Sequence, residues 1–478
     1  MGVLAIANLA NAAPISTPPD ITVSAPITYD GGTVGAGSML TIDDVLINNG
    51  SLSNFGTINN NAAGTFINSA NRSFDNNSGA TFSNAGTLTN SGSYSVRIGS
   101  TFTNTGTINN QSAALFTVNT GTLGGAILNS GNFLLSESAT AGNATITNND
   151  RLSFSNNSSA GSANITNNDL LSFAINSSAG SANITNNSLL SFNGSSTAGN
   201  ATITNAGTIT NTSTSNVIGA TGNITNNATF NNSRTLSSTG VFTNSSSGTF
   251  VNAATRTFNN NSGGTFTNAG TLANSGTYNV NYGSTFTNTG TIDNKSAGFF
   301  FLYAGTLGGT VLNAGNFGFY GDSSAGNANI TNAGMITNTS ASNVIGTTGN
   351  ITNNGTFNNN GTLSSTGTFI NSSSRTFTNS LHRTFNNNSG GTFTNAGTLT
   401  NSGNYNVNTG STFTNTGTIN NQSEASFRFY EGTLGGAVLN SGTFQFYGTA
   451  SAGNATISNN DDLIFSNNSS AGSANITN

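Results

Sequence analysis

Apolar residues recur along most of the chain as alternating pairs: Ala144-x-Ile146 and Leu152-x-Phe154, then Ala163-x-Ile165 and Leu171-x-Phe173. Alternation sends every second side chain to one face, so each run predicts a short β-strand with one face buried. A longer period is superimposed. In the series Phe74, Phe82, Leu88, Tyr94, Phe102 and Ile108, the pairs 74 and 94, 82 and 102, and 88 and 108 share one constant offset. Three short strands per turn of about 20 residues account for both periods. Between the strands stand Asn84-Ala85-Gly86, Asn90-Ser91-Gly92 and Asn104-Thr105-Gly106, residue types that tolerate the positive φ of corners. The expected fold is all-β, a three-sided parallel β-helix (β-solenoid). Phe should stack on Phe and Ile on Ile, with Asn148, Asn167 and Asn186 hydrogen-bonding from rung to rung at turn positions.

Self-comparison gives the same unit. Gly64-Thr65-Phe66-Ile67-Asn68 returns as Gly248-Thr249-Phe250-Val251-Asn252, about 184 residues on. Gly121-Thr122-Leu123-Gly124-Gly125 returns at Gly305 after that offset, and at Gly432 about 127 residues later. The offsets differ by about 57, three times 19, and 19-residue units headed by Ala141, Ala160, Ala179 and Ala198 stand where the difference arises. Whole units can be gained or lost because each rung of a solenoid touches only its neighbours. The solenoid is expected over residues 51–478, in long copies at about 64–247, 248–374 and a truncated 375–478. About 22 rungs at about 4.8 Å would make a rod about 105 Å long.

Composition narrows the function. Only 5% of the 478 residues are charged, nine basic and fourteen acidic, so phosphate neutralisation of nucleic acid is excluded. With 87 Asn, 60 Gly and hardly any Lys, Arg or Glu, helices should be nearly absent. The 32 Phe, many in register, argue against disorder. Zero Cys removes disulfides, thiolate metal sites and a Cys nucleophile. All four prolines, Pro14, Pro18, Pro19 and Pro26, crowd near the start of the chain, as expected if everything later pairs in a ladder. Residues 13–50 are therefore expected to form a cap, irregular over about Pro14 to Asn49. Residues 1–12 read as a partial signal peptide, with cleavage after Ala12 in Ala10-Asn11-Ala12. No stretch approaches 18 consecutive apolar residues, so no transmembrane helix is expected.

The run Ala-Gly-Asn-Ala-Thr-Ile-Thr-Asn-Asn at 141–149 recurs in part at 198–205 and, with Ser458, at 452–460. Together with Gly-Thr-Leu-Thr-Asn-Ser-Gly at 86–92 and Thr-Phe-Thr-Asn-Thr-Gly-Thr-Ile at 101–108, it resembles the passenger repeats of bacterial autotransporters and the filamentous-haemagglutinin-type adhesins. The resemblance covers about residues 50 to 478. It implies a right-handed parallel β-helix, secreted, displayed on the bacterial outer surface and often adhesive. The chain departs from both groups: it has no run of amphipathic strands for an outer-membrane barrel, and its head is too small for a secretion domain. The third copy stops at Asn478 within a 19-residue unit, so the chain reads as a fragment or processed piece.

Candidate chemistry is sparse. Arg72, Arg256 and Arg383 recur in register before Ser-Phe or Thr-Phe and form a candidate binding row along the rod. The sole histidine, His382, has Thr255 and Asn71 as its counterparts, which points to an exposed turn rather than a general base. Asp150 and Asp169, one unit apart, could lie about 5 Å from each other and suit a cation, but Ser188 follows in that place. Asp461 and Asp462 repeat this corner, and the remaining acids are scattered singly, unlike the grouped carboxylates of polysaccharide-active β-helix enzymes. Thr-x-Thr runs such as Thr145-Ile146-Thr147 could order water as ice-binding solenoids do, yet the first threonine runs Thr145, Asn164, Asn183, Thr202 across successive units. The expectation is a non-enzymatic, extracellular adhesive or structural rod without cofactors. It would act by multivalent weak contacts to glycans or surfaces, or by pairing with identical chains. A polysaccharide-active enzyme and an ice-binding solenoid are the alternatives.

Overall fold

A computed structural model of the protein describes residues 4–5, 15–16 and 20–478, apart from 215 and 220. Every described regular element is a β-strand, and no helix among the described residues is long and apolar enough to cross a membrane. The chain divides into two compact units, Met1–Val241 and Phe242–Asn478. Each is a parallel β-solenoid with about 20 residues per turn, as the periodicity predicts.

In the first unit three stacks of parallel strands form the sides. One contains Ile21–Val23, Met39–Ile42, Thr57–Asn60, Thr81–Asn84 and Thr101–Asn104. The next contains Thr65–Asn68, Thr87–Asn90, Thr107–Asn110, Ala126–Asn129 and Thr145–Asn148. The third contains Ser73–Asn76, Ser93–Val96, Leu115–Val118, Asn132–Leu135 and Arg151–Phe154. In the 19-residue units the first side shrinks to single bridges, Thr140 to Ser159 to Ser178 to Thr197. Two strands per turn remain there, not the three expected. Here small buried residues, Ser158, Ala160 and Ala163, stand where Phe82 and Phe102 pack elsewhere.

The ladder also begins earlier than expected. Ile21–Val23, Ile27–Val34, Met39–Ile42 and Val45–Asn54 are strands within the segment read as an irregular cap, and Pro26 precedes a strand without interrupting it. Leu4–Ala5 pairs with Ile21–Thr22, whereas the Ala10-Asn11-Ala12 cleavage motif lies outside the described residues.

A four-residue strand such as Thr87-Leu88-Thr89-Asn90 points its second and fourth side chains inward. The second is aromatic or aliphatic. Phe74, Tyr94, Phe116 and Phe133 stack with centroids 4.5, 4.4 and 4.7 Å apart, and rings from different sides meet edge-on, Phe66 to Phe82 at 5.6 Å. The fourth is most often Asn, replaced along the third stack by Val96, Val118, Leu135 and Phe154, and it is buried: Asn148, Asn167 and Asn186 have no exposed surface. The expected amide ladder exists, with Asn148 Nδ2 donating to Asn167 Oδ1 at 2.7 Å and Asn167 Nδ2 to Asn186 Oδ1 at 2.8 Å. It lies inside the corners rather than on them, because the same amides also donate to the carbonyls that the bend frees, such as Asp150 O and Leu170 O from Asn148. Where a glycine stands two residues after such an Asn, the neighbouring turn approaches closely: a Cβ at Gly106, after Asn104, would sit 2.1 Å from the Gly86 carbonyl oxygen.

The second unit repeats the plan, with one consequence for surface features. Register carries Thr257 through Thr277, Phe299, Asn316, Met335 and Thr356 to Thr376 in six turns. The counterpart of Thr257 in the next long copy is not Thr376 but Thr384, which belongs to the neighbouring stack of Thr362, Asn404 and Ser426. The long repeat is therefore six turns and one side, so equal sequence positions land on different faces.

Candidate functional site

Outward positions are built from the first and third residues of each strand. In the first unit the third residues Thr147, Thr166, Thr185, Thr204 and Thr225 stand in unbroken register over five turns. Beside them the first residues run Thr145, Asn164, Asn183, Thr202 and Asn223, the interruption expected from sequence. Asn183 Nδ2 donates to Asn164 Oδ1 at 3.0 Å, so these amides engage each other. The unbroken column escapes a reading that follows only the first threonine of each unit.

Arg256 and Arg383 do not share a side. Arg256 precedes the Thr257 stack and Arg383 precedes the Thr384 stack, two different sides of the second unit, because the repeat advances by one side. The arginine in line with Arg256 is Arg375, before Thr376, at the place that Gly64 and Gly248 hold in the other copies. Arg72 lies in the first unit, exposed, at the same kind of corner. What these corners share is backbone geometry. Asn71, Thr255, Ser374 and His382 each hold φ near 60°, and the carbonyls of Arg72, Arg256 and Arg383 accept from Ser93, Thr277 and Asn404 at 2.7–2.8 Å. His382 is an exposed corner residue. Among the described residues, ion pairs join Arg97 to Asp75 at 2.8 Å and Lys295 to Asp293, and no group of three or more His, Asp or Glu could hold a metal ion. Asp150 is half-buried and Asp169 exposed, and both carbonyls are held by the amide ladder.

No protein-family model and no curated protein matches the chain. The solenoid is consistent with β-helix repeat proteins in general.

One surface breaks the Thr/Asn pattern. In the second unit the strands Phe299–Thr306 and Asn316–Ser324 are eight and nine residues long and turn aromatic rings outward. Tyr282, at the corner of the preceding turn, is 58% exposed, and Phe299 and Met335 are each 42% exposed. Tyr282 and Tyr303 have centroids 5.6 Å apart, Tyr303 and Tyr320 stack at 5.0 Å, and Phe301 meets Tyr320 edge-on at 5.8 Å. A bulge makes this possible: register shifts between Leu302 and Ala304, placing Tyr320 and Gly321 opposite Tyr303 alone. Gly321 takes φ 52°, and a Cβ there would meet the Tyr282 ring at 2.5 Å. Gly318 lies under the Tyr320 ring, where a Cβ would be 2.2 Å from Cε2. Partial burial and the neighbouring Tyr303 raise the Tyr320 pKa above the ordinary 10.0. A shallow depression of about 150 Å³ lies between Phe299, Phe301, Gly318, Tyr320 and Met335. The sequence carries a signal for it, the unbroken apolar run from Phe299 to Tyr303. Where alternation fails in an otherwise alternating chain, both faces of the strand are apolar.

Proposed function

We propose that the protein is a non-catalytic, repetitive adhesive or structural element, secreted or displayed on the outer surface of a bacterial cell. The observation that supports it is the register of the outward side chains. Hydroxyls and amides repeat once per turn at about 4.8 Å, which favours many weak contacts with extended glycans or with like chains over a single pocket. Scarce, scattered charge supports a scaffold more than a catalytic centre, since general acid–base chemistry needs grouped ionisable residues. The arginine corners contribute little to this reading, because Arg256 and Arg383 stand on different sides of the second unit. Replacing Arg72, Arg256 and Arg383 together by Ser should leave binding to cells or glycans unchanged within twofold. The decisive experiment labels intact producing cells with an antibody against the chain. Labelling without permeabilisation is expected, and labelling only after lysis overturns the proposal.

A further inference from the structure

We infer that the aromatic ladder of the second unit is a stacking platform for a neutral saccharide chain. Tyr303 and Tyr320 stack at 5.0 Å and Phe301 meets Tyr320 edge-on at 5.8 Å, with Phe299 and Met335 exposed beside them. A pyranose ring has an apolar face of C–H groups and a rim of hydroxyls, so it packs on an aromatic ring while its rim seeks donors and acceptors. The rim partners are in register. The column that holds Phe301 and Gly318 continues as Asn279 and Asn259 on one side and Thr337 and Asn358 on the other, all outward. The two strands carry one charged side chain, the exposed Asp322, which can accept from a sugar hydroxyl and gives no basis for selecting an ionic ligand.

Size favours the same occupant. The ladder spans about four turns of about 4.8 Å by about four residues of about 3.3 Å, a patch of about 250 Å². A stable protein partner needs about 800 Å² per side. A short run of sugar rings fits that area, whereas a second protein surface would have to extend over the polar Thr and Asn columns. Conformation is prearranged too: the bulge at Tyr303 and the bare backbone at Gly318 and Gly321 seat the tyrosine rings, which lowers the ordering cost of binding. The third copy keeps only part of this, a Tyr430–Tyr447 stack at 4.7 Å, with Ser426, Arg428 and Gln445 where Phe299, Phe301 and Gly318 stand.

The inference rests on the adhesive reading for its biological setting and deepens it by naming a ligand class, but its test needs no cell. The full chain is titrated by calorimetry with linear neutral hexasaccharides of glucose, N-acetylglucosamine and mannose. The test variant combines Tyr303→Asn with Tyr320→Ser, the residues that Asn119 and Ser136 supply at the aligned places of the first copy, where the fold accepts them. A control, Leu312→Asn, removes an exposed apolar side chain from another stack. Binding of at least one hexasaccharide, weakened tenfold or more in the double variant and unchanged in the control, is the expected result. No binding of any of the three by the wild-type chain overturns the inference, as does equal binding by the double variant. A concentration-dependent dimer that the double variant abolishes also overturns it, since the ladder would then cover a second copy. Failure of surface labelling, by contrast, would remove the adhesive setting and leave a measured saccharide site standing.

Discussion

Adjacent asparagines in one corner offer a controlled measure of what the buried amide ladder contributes. Asn167 is fully buried. It accepts from Asn148 at 2.7 Å and donates to Asn186 Oδ1 at 2.8 Å and to the carbonyls of Asp169 and Leu189 at 3.0 Å. Asn168, the next residue, makes the same kind of ladder on the surface, bonded to Asn149 and Asn187 at 2.8 Å each. Truncating Asn167 to Ala leaves Asn186 Oδ1 buried without that donor, which costs about 1–3 kcal/mol, and removes about two further net bonds at about 0.5–1.5 kcal/mol each. Asn148 keeps its bonds to Asp150 O and Leu170 O, so its donor is not stranded. The expected loss for Asn167→Ala is therefore about 4 kcal/mol, whereas Asn168→Ala, a surface change, should stay within about 0.5 kcal/mol. Because solenoid stability is a sum of neighbour terms, the loss should appear as local opening more than as a shift of the whole molecule. Amide hydrogen exchange at Leu170 and Leu189, alongside denaturation followed by far-UV circular dichroism, reads both. If the two variants fall within about 1 kcal/mol of each other, the argument that burial gives the ladder its strength is wrong.

Three further outcomes are expected. The Tyr278 hydroxyl is buried with no hydrogen-bond partner, and the ring stacks between Phe258 and Phe300 at 4.7 and 4.8 Å; Tyr278→Phe should keep the stack and raise the midpoint of thermal unfolding by the equivalent of about 1 kcal/mol. Burial raises the pKa values of Tyr94, Tyr278 and Tyr405 well above the ordinary 10.0. Unfolded phenols then ionise before folded ones, so stability is whole below about pH 10 and falls as pH rises beyond it, with phenolate absorbance of these three appearing only as strand signal is lost. Ile175 is a β-branched residue at φ 59°, where the neighbouring units place Asn156 and Gly194; Ile175→Gly should stabilise by about 1 kcal/mol in denaturant titrations.

The fold is legible because two periods coincide: alternation within Thr87-Leu88-Thr89-Asn90 and a return once per turn, as from Phe74 to Tyr94. What periodicity does not give is which turn positions face inward. Asn148 reads as a turn position, but its Nδ2 lies within 2.7–2.9 Å of Asp150 O, Asn167 Oδ1 and Leu170 O, which its two N–H groups serve from a buried place. In the 19-residue units the two alternating pairs mark the two strands, and the third side, with buried Ser158 and Ala160, keeps only single bridges. Arg256 and Arg383 part for a different reason. Sequence repeats are counted along the chain, while faces are counted in turns, and the step from Thr376 to Thr384 separates the two counts. The aromatic ladder needed the bulge at Leu302 and Ala304, which no residue type announces, although the unbroken apolar run from Phe299 marked the place.

That mismatch of counts sets how the surface can evolve. In the second unit a duplicated long block does not lay its decoration above the parent block but turns it by a third of a revolution, so Tyr303–Tyr320 and Tyr430–Tyr447 look out in different directions. Adding or deleting one 19-residue unit changes height without changing heading, because that unit closes one full turn. Unequal recombination in the gene thus has two steps to work with: short units change only how far apart two features stand, and long ones change both that distance and which way a feature looks.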